Sequence, residues 1–254
     1  MKRFLLTLFY CIGISAFASE SFLVHGFNSE REFSQWRAPT GDSTTIKYNT
    51  DTNFISEGTG SAFLSFPPKS SGEGLWPRVS SNRVPLNGDW SAYDEFSIDL
   101  YNPGPDDVSF RIQLQVEGGG KLGRGWNQLA PGKHSLRAEL PEAVKTMKII
   151  NIIIYQNQPP VAYSMYIDNY QIHLNKEKLQ EKITNFFEDD PGNWKEAGLL
   201  NKHQKIAKEL KKLKNSKISS IEKAKKVNKL NAEYKALKEL RNKNLNIKNY
   251  HLTH

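Results

Sequence analysis

Two stretches of the chain, at positions 95–101 and 108–116, alternate strictly between apolar and polar residues. A period of two places alternate side chains on opposite faces of an extended backbone, so both stretches are predicted to be half-buried β-strands. The turn-forming sequence Asn-Pro-Gly-Pro-Asp-Asp at 102–107 separates them. In the second strand, the apolar positions share one face and leave the other to Ser109, Arg111, Gln113 and Gln115.

Residues 148–174 carry two further predicted strands. The first is rich in isoleucine on both faces, which suits a strand buried on both sides. Pro159 and Pro160 interrupt the pattern because proline cannot donate a ladder hydrogen bond, and we interpret the two strands as a hairpin that closes a β-domain. Many short strands without helices predict a sandwich. Further strands are predicted at 21–27, 44–48, 62–66, 75–79, 83–86, 126–129 and 134–140.

The period becomes helical from Lys176, where apolar residues recur every three or four positions. Three helices are predicted, the second over 199–213 and the third beginning at a capping box of Ser219 and Glu222. Residues from 242 onwards are predicted to be frayed. Because the apolar stripes are narrow, this tail is predicted to be a thin helical hairpin, a coiled-coil partner or a mobile arm.

The first 18 residues have the pattern of a secretory signal peptide. Lys2 and Arg3 precede an apolar run over 4–17, which is too short to span a bilayer comfortably, and Ala16-Phe17-Ala18 fits the cleavage rule. We therefore expect cleavage near Ala18, a secreted or periplasmic mature protein, and no transmembrane segment.

The one cysteine of the chain, Cys11, lies inside this signal. A lipoprotein interpretation of Cys11 is disfavoured, because the bulky Tyr10 stands where a small residue is expected. The mature protein is then predicted to form no disulfides, so its stability must come from its core.

Charge is distributed unevenly along the chain. Residues 176–254 contain 20 Lys and Arg against 10 Asp and Glu, whereas residues 19–175 contain 13 against 17. A basic tail suggests attraction to an anionic surface, and we predict a protein partner or self-association through 176–254 without specific nucleic-acid recognition. The same composition also suits a solvated lysine-rich helix that binds nothing.

Several motifs resemble the galactose-binding-like jelly rolls, the fold of many carbohydrate-binding modules. The closing sequence Tyr-Ile-Asp-Asn-Tyr-Gln-Ile at 166–172 is similar to their last strand. Residues 24–28, 57–64 and 86–94 resemble their opening strand, second motif and central region. The resemblance covers 22–174 and implies a jelly-roll β-sandwich over 19–175, followed by a basic helical tail over 176–254. It also implies carbohydrate binding without catalysis.

The polar row of Arg111, Gln113 and Gln115 is the most informative candidate for ligand binding. Sugars are bound by planar hydrogen-bonding groups beside aromatic rings that cover the apolar face of a pyranose. The alternative is that the tryptophans belong to the core and the polar residues simply face solvent. The remaining candidates for this patch are Trp76, Arg78, Trp126, Tyr155 and Gln156.

The resemblance also implies a structural Ca²⁺, since the family often holds one beside the aspartate of the closing strand. Asp168 matches that position, and Ser61 lies in the second motif. Asn28 stands where the family often has a glutamate, which weakens the site because calcium prefers several carboxylates. The alternative is that Asp168 caps a strand through hydrogen bonds alone.

Catalysis is the third candidate function. Gln171-Ile172-His173 matches a short motif of the jelly-roll alginate lyases, although the lysine-rich helix that follows departs from that family's pattern. A glycoside hydrolase needs two carboxylates facing across a cleft, and nothing in the spacing of Asp99 and Glu117 shows that they converge.

The function expected from the sequence is that of a secreted, non-catalytic protein that binds a polysaccharide or glycan. One alternative is a structural or adhesion module of the cell envelope that acts through its helical tail. The other is a polysaccharide lyase or glycoside hydrolase on a jelly-roll fold.

Overall fold

The computed structural model describes residues 20–39, 43–68, 76–156, 159–185, 194–195 and 197–253. Ten antiparallel strands form two sheets, which pack face to face as a sandwich with helices after it. The predicted fold class, a jelly-roll β-sandwich followed by a helical region, is confirmed. The strands are β1 (Glu20–His25), β2 (Thr45–Asn49), β3 (Ser61–Phe66), β4 (Arg78–Ser81), β5 (Glu95–Asn102), β6 (Val108–Val116), β7 (Lys121–Leu129), β8 (Gly132–Glu139), β9 (Ile149–Tyr155) and β10 (Tyr163–Leu174).

The six-stranded sheet has the order β2-β3-β10-β5-β8, and β1 also pairs with β10. Strand β10 is 12 residues long, so β3 and β1 pair with successive parts of it. Its pairing with β5 is interrupted by a bulge between Asp168 and Gln171, where Asn169 has a positive φ of 49°. The four-stranded sheet has the order β4-β9-β6-β7.

The alternation predicted for β5 and β6 is present in the structure. Their apolar positions are buried in the core between the sheets, and their polar positions point outward. Burial of such side chains contributes about 1.5–3 kcal/mol each, which is how a chain without disulfides is held together. The largest fully buried side chains of the sandwich include Phe66, Trp90, Tyr93, Phe96, Phe110 and Tyr170.

The hairpin predicted for residues 148–174 is not formed. Strand β9 pairs with β4 and β6 in one sheet, whereas β10 pairs with β1, β3 and β5 in the other. The segment containing Pro159 and Pro160 therefore crosses between sheets. A two-residue period shows that a strand has two faces, but it carries no information about the sheet that the strand joins.

Two other local predictions differ from the structure. Residues Pro85–Gly88 form a 3₁₀ turn rather than a strand, because Leu86 and Asn87 have φ values of 57° and 53°. Strand β7 begins at Lys121 rather than at 126, since Gly123 and Gly125 pair with β6 despite their weak strand propensity.

Short helix α1 (Glu30–Phe33) follows β1, and the tail contains α2 (Lys176–Asn185), α3 (Leu200–Lys214) and α4 (Ser220–Thr253). The predicted cap of the last helix is present, since the Glu222 amide donates to Ser219 Oγ at 3.2 Å. This helix continues past residue 242, where fraying was predicted. The fully buried Trp194 ring lies 4.6 Å from the His203 ring and 4.6 Å from the Arg241 guanidinium. These contacts pack Trp194 against both α3 and α4.

The tail packs against one end of the sandwich rather than extending from it. The carboxylate of buried Asp94 accepts from Lys145 Nζ at 3.0 Å and from Lys182 Nζ of α2 at 3.1 Å. From α4, Lys225 pairs with Asp89 at 2.7 Å, and Asn228 donates to the Ser91 carbonyl. Lysine side chains of the tail thus meet carboxylates of the sandwich.

The predicted signal peptide over 1–18, including Cys11, lies outside the described residues, as does the predicted end of the first helix at 189–192. In the part of the chain that is described, no helix is long and apolar enough to cross a bilayer.

Candidate functional site

The outward side of the four-stranded sheet, hereafter the polar face, carries most of the predicted ligand-binding residues. Opposite residues of antiparallel strands point to the same side, so the register determines its rows. Gln113 lies opposite Ile153 of β9 and Gly123 of β7, while Gln115 lies opposite Asn151 and Lys121. Arg111 lies opposite Gly125, and Arg78 lies opposite Tyr155 at the other edge.

The Arg111 side chain lies over the backbone of β7 at Gly125, where the strand has no side chain. A Cβ at residue 125 would be 2.9 Å from Arg111 Nη1, so Gly125 provides the space that this side chain occupies. Arg111 Nη2 donates to Asn127 Oδ1 at 3.1 Å. This hydrogen bond uses one of the five N–H donors of the guanidinium.

Two aromatic rings pack together at the β4–β9 edge of the polar face. The rings of Trp76 and Tyr155 are 5.7 Å apart and tilted by 55°. Trp76 is 46% exposed, which is unusual for a tryptophan. The Tyr155 side chain reaches across the face, and its hydroxyl would be 3.9 Å from a Cβ at residue 123. The polar face therefore combines exposed aromatic surface with planar hydrogen-bonding groups.

Two predicted ligand-binding residues do not join this face. Trp126 lies opposite Phe110, so it points toward the core side of the sheet, and its ring lies 5.8 Å from Phe110 and 6.1 Å from Phe96. Gln156 is 1% exposed, and its amide donates to the Ser109 carbonyl at 2.6 Å. These placements are corrections to the predicted patch: Trp126 packs against core rings, and Gln156 ties β9 to β6.

The structure adds residues that the sequence reasoning missed. Asn127, Asn151 and Lys121 contribute polar side chains to the polar face, while Gly123 and Gly125 leave part of it bare. The spacing Lys-Leu-Gly-Arg-Gly over 121–125 is a signal that could have been found. Glycine at alternate positions of a strand marks a place where another group approaches the backbone closely.

The three predicted calcium ligands are all engaged with other groups. Asp168 is 2% exposed and accepts from the amides of Ser56 and Glu57 at 2.8 and 3.1 Å and from its neighbour Asn169 at 2.7 Å. Asn28 Oδ1 accepts from the Thr59 amide at 2.9 Å. Ser61 Oγ accepts from Asn49 Nδ2 at 2.9 Å.

These residues do not fit a calcium site. Ca²⁺ takes six to eight oxygen ligands, usually with several carboxylates, whereas this group has the single carboxylate of Asp168. Burial raises the pKa of Asp168, although the amides and hydroxyl that bind it act in the opposite direction. Among the described residues, no cluster of three or more His, Cys, Asp or Glu is arranged to hold a metal. Calcium binding therefore remains a prediction that has no support from the geometry.

The candidate catalytic groups are also dispersed. Asp99 points outward from the six-stranded sheet, whereas Glu117 follows β6 in the four-stranded sheet. His173 Nε2 shares a hydrogen bond of 2.7 Å with Ser97, and Gln171 donates to Asn169. Asp99, Gln171 and His173 are thus held by neighbours on the six-stranded sheet, whereas Glu117 belongs to the other sheet.

Neither the protein-family models nor the curated proteins compared with the sequence give a match. Among solved structures, the chain is similar to an exo-beta-agarase, with a TM-score of 0.49 and 15% identity over 60% of this chain and 25% of that chain. The chain thus spans about a quarter of the length of that agarase.

Two further similar structures are carbohydrate-binding modules. One is the family 11 module from Clostridium thermocellum in complex with a beta-1,3-1,4-mixed-linked tetrasaccharide, at a TM-score of 0.45 and 13% identity over 61% of this chain and 96% of the module. The other is a module with specific mannan recognition, at a TM-score of 0.41 and 17% identity over 61% and 99%. Because these TM-scores are low, the assignment of the fold depends on the strand order of this chain itself.

Proposed function

We propose that this protein binds a polysaccharide chain along the polar face and that it does not catalyse a reaction there. The observation that carries the proposal is that exposed Trp76 and partly exposed Tyr155 share one sheet surface with Arg111, Gln113 and Gln115. The rings offer flat apolar surface to one side of a sugar ring. The amides and guanidinium offer donors and acceptors to its hydroxyl groups.

The chemistry of the face favours binding over hydrolysis. Its described strand residues carry positive charge at Arg78, Arg111 and Lys121, and no carboxylate lies among them, since Glu117 belongs to the turn after β6. Because glycoside hydrolysis by the usual route needs two carboxylates at the scissile bond, this surface lacks the groups for it. Neutral or anionic polysaccharides match its charge.

The first test is the retention of the protein in native gels that contain a soluble polysaccharide. The panel consists of mixed-linked β-glucan, mannan, xylan and agarose, which correspond to the proteins named for similar structures. For the retaining polysaccharide, we expect Arg111→Ala and Trp76→Ala each to weaken binding about tenfold or more. Arg111→Ala removes hydrogen bonds from a charged group, which contribute about 1.5–3 kcal/mol each, and Trp76→Ala removes the stacking surface.

Arg124→Ala is the matched control for Arg111→Ala. Arg124 is an exposed arginine of the same hairpin, but it lies opposite Ile112 and so belongs to the other side of β7. Full retention of Arg111→Ala and Trp76→Ala would contradict the proposal, as would an equal loss in Arg124→Ala. Release of soluble sugar from the polysaccharide would contradict the absence of catalysis.

We further propose that the protein acts outside the cytoplasm. The support is the pattern of residues 1–18, in which Lys2 and Arg3 precede an apolar run and a small-x-small site. Sequencing the amino terminus of the protein from the producing cells should give Ser19 as the first residue. An intact Met1 on the exported or retained protein would contradict this cleavage.

A further inference from the structure

A pocket of about 230 Å³ lies on the outward side of the six-stranded sheet, across the sandwich from the polar face. It is formed where β5 runs between β10 and β8, and we call it the β5 pocket. The register brings its walls together, because Asp99 lies opposite Ser135, and Tyr101 lies opposite Lys133 and Tyr166. The groups that line it include Phe54, Asp99, Tyr101, Lys133, Ser135 and Tyr166.

Three aromatic rings form one wall of the β5 pocket. Phe54 stacks on Tyr166 with ring centroids 4.1 Å apart and an interplanar angle of 6°, and it lies 4.9 Å from Tyr101. Each of the three side chains is partly exposed. A cluster of aromatic rings that is neither buried nor isolated offers apolar surface to a ligand.

The segment that carries Phe54 is held in place by specific hydrogen bonds. Asp51 caps the 3₁₀ turn Thr52–Phe54, and its Oδ1 accepts from the Asn53 amide at 3.0 Å. On the other side of Phe54, the amides of Ser56 and Glu57 donate to Asp168 at 2.8 and 3.1 Å. The aromatic wall is therefore preorganised, which lowers the entropic penalty of ligand binding.

The opposite wall supplies polar groups of both kinds. Asp99 is a hydrogen-bond acceptor whose Oδ2 is oriented by Asn169 Nδ2 at 3.0 Å. Lys133 is exposed and, among the described residues, pairs with no carboxylate, so its ammonium remains a donor for a ligand. The Ser135 hydroxyl can donate and accept. Because Asp168 is already bound by loop amides, Asp99 is the carboxylate available to a ligand at this pocket.

We propose that the β5 pocket is a second ligand site and that it binds a single neutral sugar ring. Its volume lies below the range of about 300–1,000 Å³ that is common for sites of drug-sized ligands, which suits one ring rather than a chain. Stacked aromatic surface faces the apolar side of a pyranose, while Asp99 and Lys133 match its hydroxyl groups as acceptor and donor. Asp99 and Lys133 carry opposite charges, and the second lining carboxylate, Asp168, is already bound by loop amides. The groups available to a ligand therefore suit a neutral molecule better than an ion.

The proposal is tested by two-dimensional amide NMR of the full chain titrated with methyl glycosides of glucose, galactose and mannose. Concentrations up to about 50 mM saturate a site with a Kd near 1 mM. We expect at least one glycoside to shift the amides of 54–56, 99–101 and 133–135 in a saturable manner. Absence of saturable shifts with all three glycosides would overturn the proposal.

Ser135→Phe should fill the β5 pocket and abolish those shifts while the remaining spectrum keeps its dispersion. Thr45→Phe is the matched control, since Thr45 is an exposed hydroxyl residue on the same outward side, outside the pocket lining. Phe54→Ala is a second variant that removes the aromatic wall without adding volume, and we expect it to weaken binding about tenfold. Saturable shifts that persist in both Ser135→Phe and Phe54→Ala would overturn the assignment.

The proposals for the polar face and for the β5 pocket can be contradicted independently of each other. Ser135→Phe should leave polysaccharide retention by the polar face unchanged, and Trp76→Ala should leave the glycoside shifts unchanged. If Ser135→Phe removes the retention and Trp76→Ala does not, the β5 pocket stands and the proposed function of the polar face is wrong. If Trp76→Ala removes the glycoside shifts, the pocket is not an independent site and this inference is overturned.

Discussion

The imidazole of His25 lies in the core beside aromatic rings, with its centroid 5.1 Å from Trp36 and 5.9 Å from Phe27. It is 1% exposed, and neither ring nitrogen has a hydrogen-bond partner among the described residues. Burial lowers the pKa of His25 from 6.5 to about 4. The unfolded chain therefore binds a proton on this residue between about pH 6.5 and 4 that the folded protein does not bind.

We expect the stability of the protein to fall as the pH decreases from about 6.5 to 4, by about 3 kcal/mol from this residue. His25→Leu should flatten that part of the stability curve, because leucine cannot take up the proton. Urea unfolding at a series of pH values measures the effect. Glu32→Gln is the control, since Glu32 Oε1 lies 3.8 Å from His25 Nδ1. If Glu32→Gln removes the slope and His25→Leu does not, the assignment to His25 is wrong.

Residue-level prediction of the polar face succeeded where alternation decides the direction of a side chain. Arg111, Gln113 and Gln115 were identified because their apolar neighbours must face the core. Trp126 could not be placed in the same way, since its direction follows from its pairing with Phe110 near the start of β6, which the sequence of β7 alone does not reveal. Gln156 follows the end of β9, where the strand pattern no longer determines which way a side chain points.

At the level of single elements, the segment from Asp51 to Glu57 shows how one buried carboxylate positions a loop. Asp168 of β10 accepts from the Ser56 amide, the Glu57 amide and the Ser56 hydroxyl. These hydrogen bonds give the aspartate of the closing strand a structural role that requires no bound metal. It also connects the core of the six-stranded sheet to Phe54 in the β5 pocket.

Asp168→Ala should lower the melting temperature, because it leaves the loop amides without acceptors. Each unsatisfied buried group contributes a penalty of about 1–3 kcal/mol. The drop should be the same in excess calcium and in excess chelator, as measured by differential scanning calorimetry. Ser164→Ala on the same strand is the control, since Ser164 bonds Ser65 and does not contact the loop. A drop that occurs only with calcium present would show that these residues hold the metal after all.

Most strands and the three tail helices could be predicted, because their periodicity reflects which face is buried. The pairing of the strands could not. Strand β9 was predicted from its isoleucines, but its neighbours β4 and β6 are set by contacts between distant parts of the chain. The β5 pocket was missed for a similar reason, since Phe54, Tyr101 and Lys133 come together through the register of different strands and a loop.

For the molecule as a whole, Asp94 connects the sandwich to its helical tail. Burial by itself would raise the pKa of Asp94, but the ammonium groups of Lys145 and Lys182 and the Asn175 amide hold it below its ordinary value. A carboxyl group with a lowered pKa stabilises the folded state above its ordinary pKa. This contribution is lost as the pH falls through the lowered value.

Asp94→Asn should decrease the free energy of unfolding by about 3 kcal/mol at pH 7, because it leaves buried Lys145 without its counter-ion. The difference from the parent protein should shrink as the pH falls below about 4, because the aspartate is protonated first in the unfolded chain and then, at its lowered pKa, in the folded protein. Denaturant unfolding at pH 7 and in the acid range measures both values. Glu209→Gln on α3 is the control for an exposed ion pair, and an equal loss there would contradict the role of Asp94.

The position of β10 also bears on how the protein folds. It is the last strand along the sequence, yet it lies inside its sheet and pairs with β1, β3 and β5, so that Glu20 lies opposite Leu174. During synthesis, β3 and β5 have exposed edges until β10 has been made, because their common partner does not yet exist. Folding of the sandwich must therefore wait for residue 174, and its many distant pairings place it among domains that fold slowly, in milliseconds to seconds.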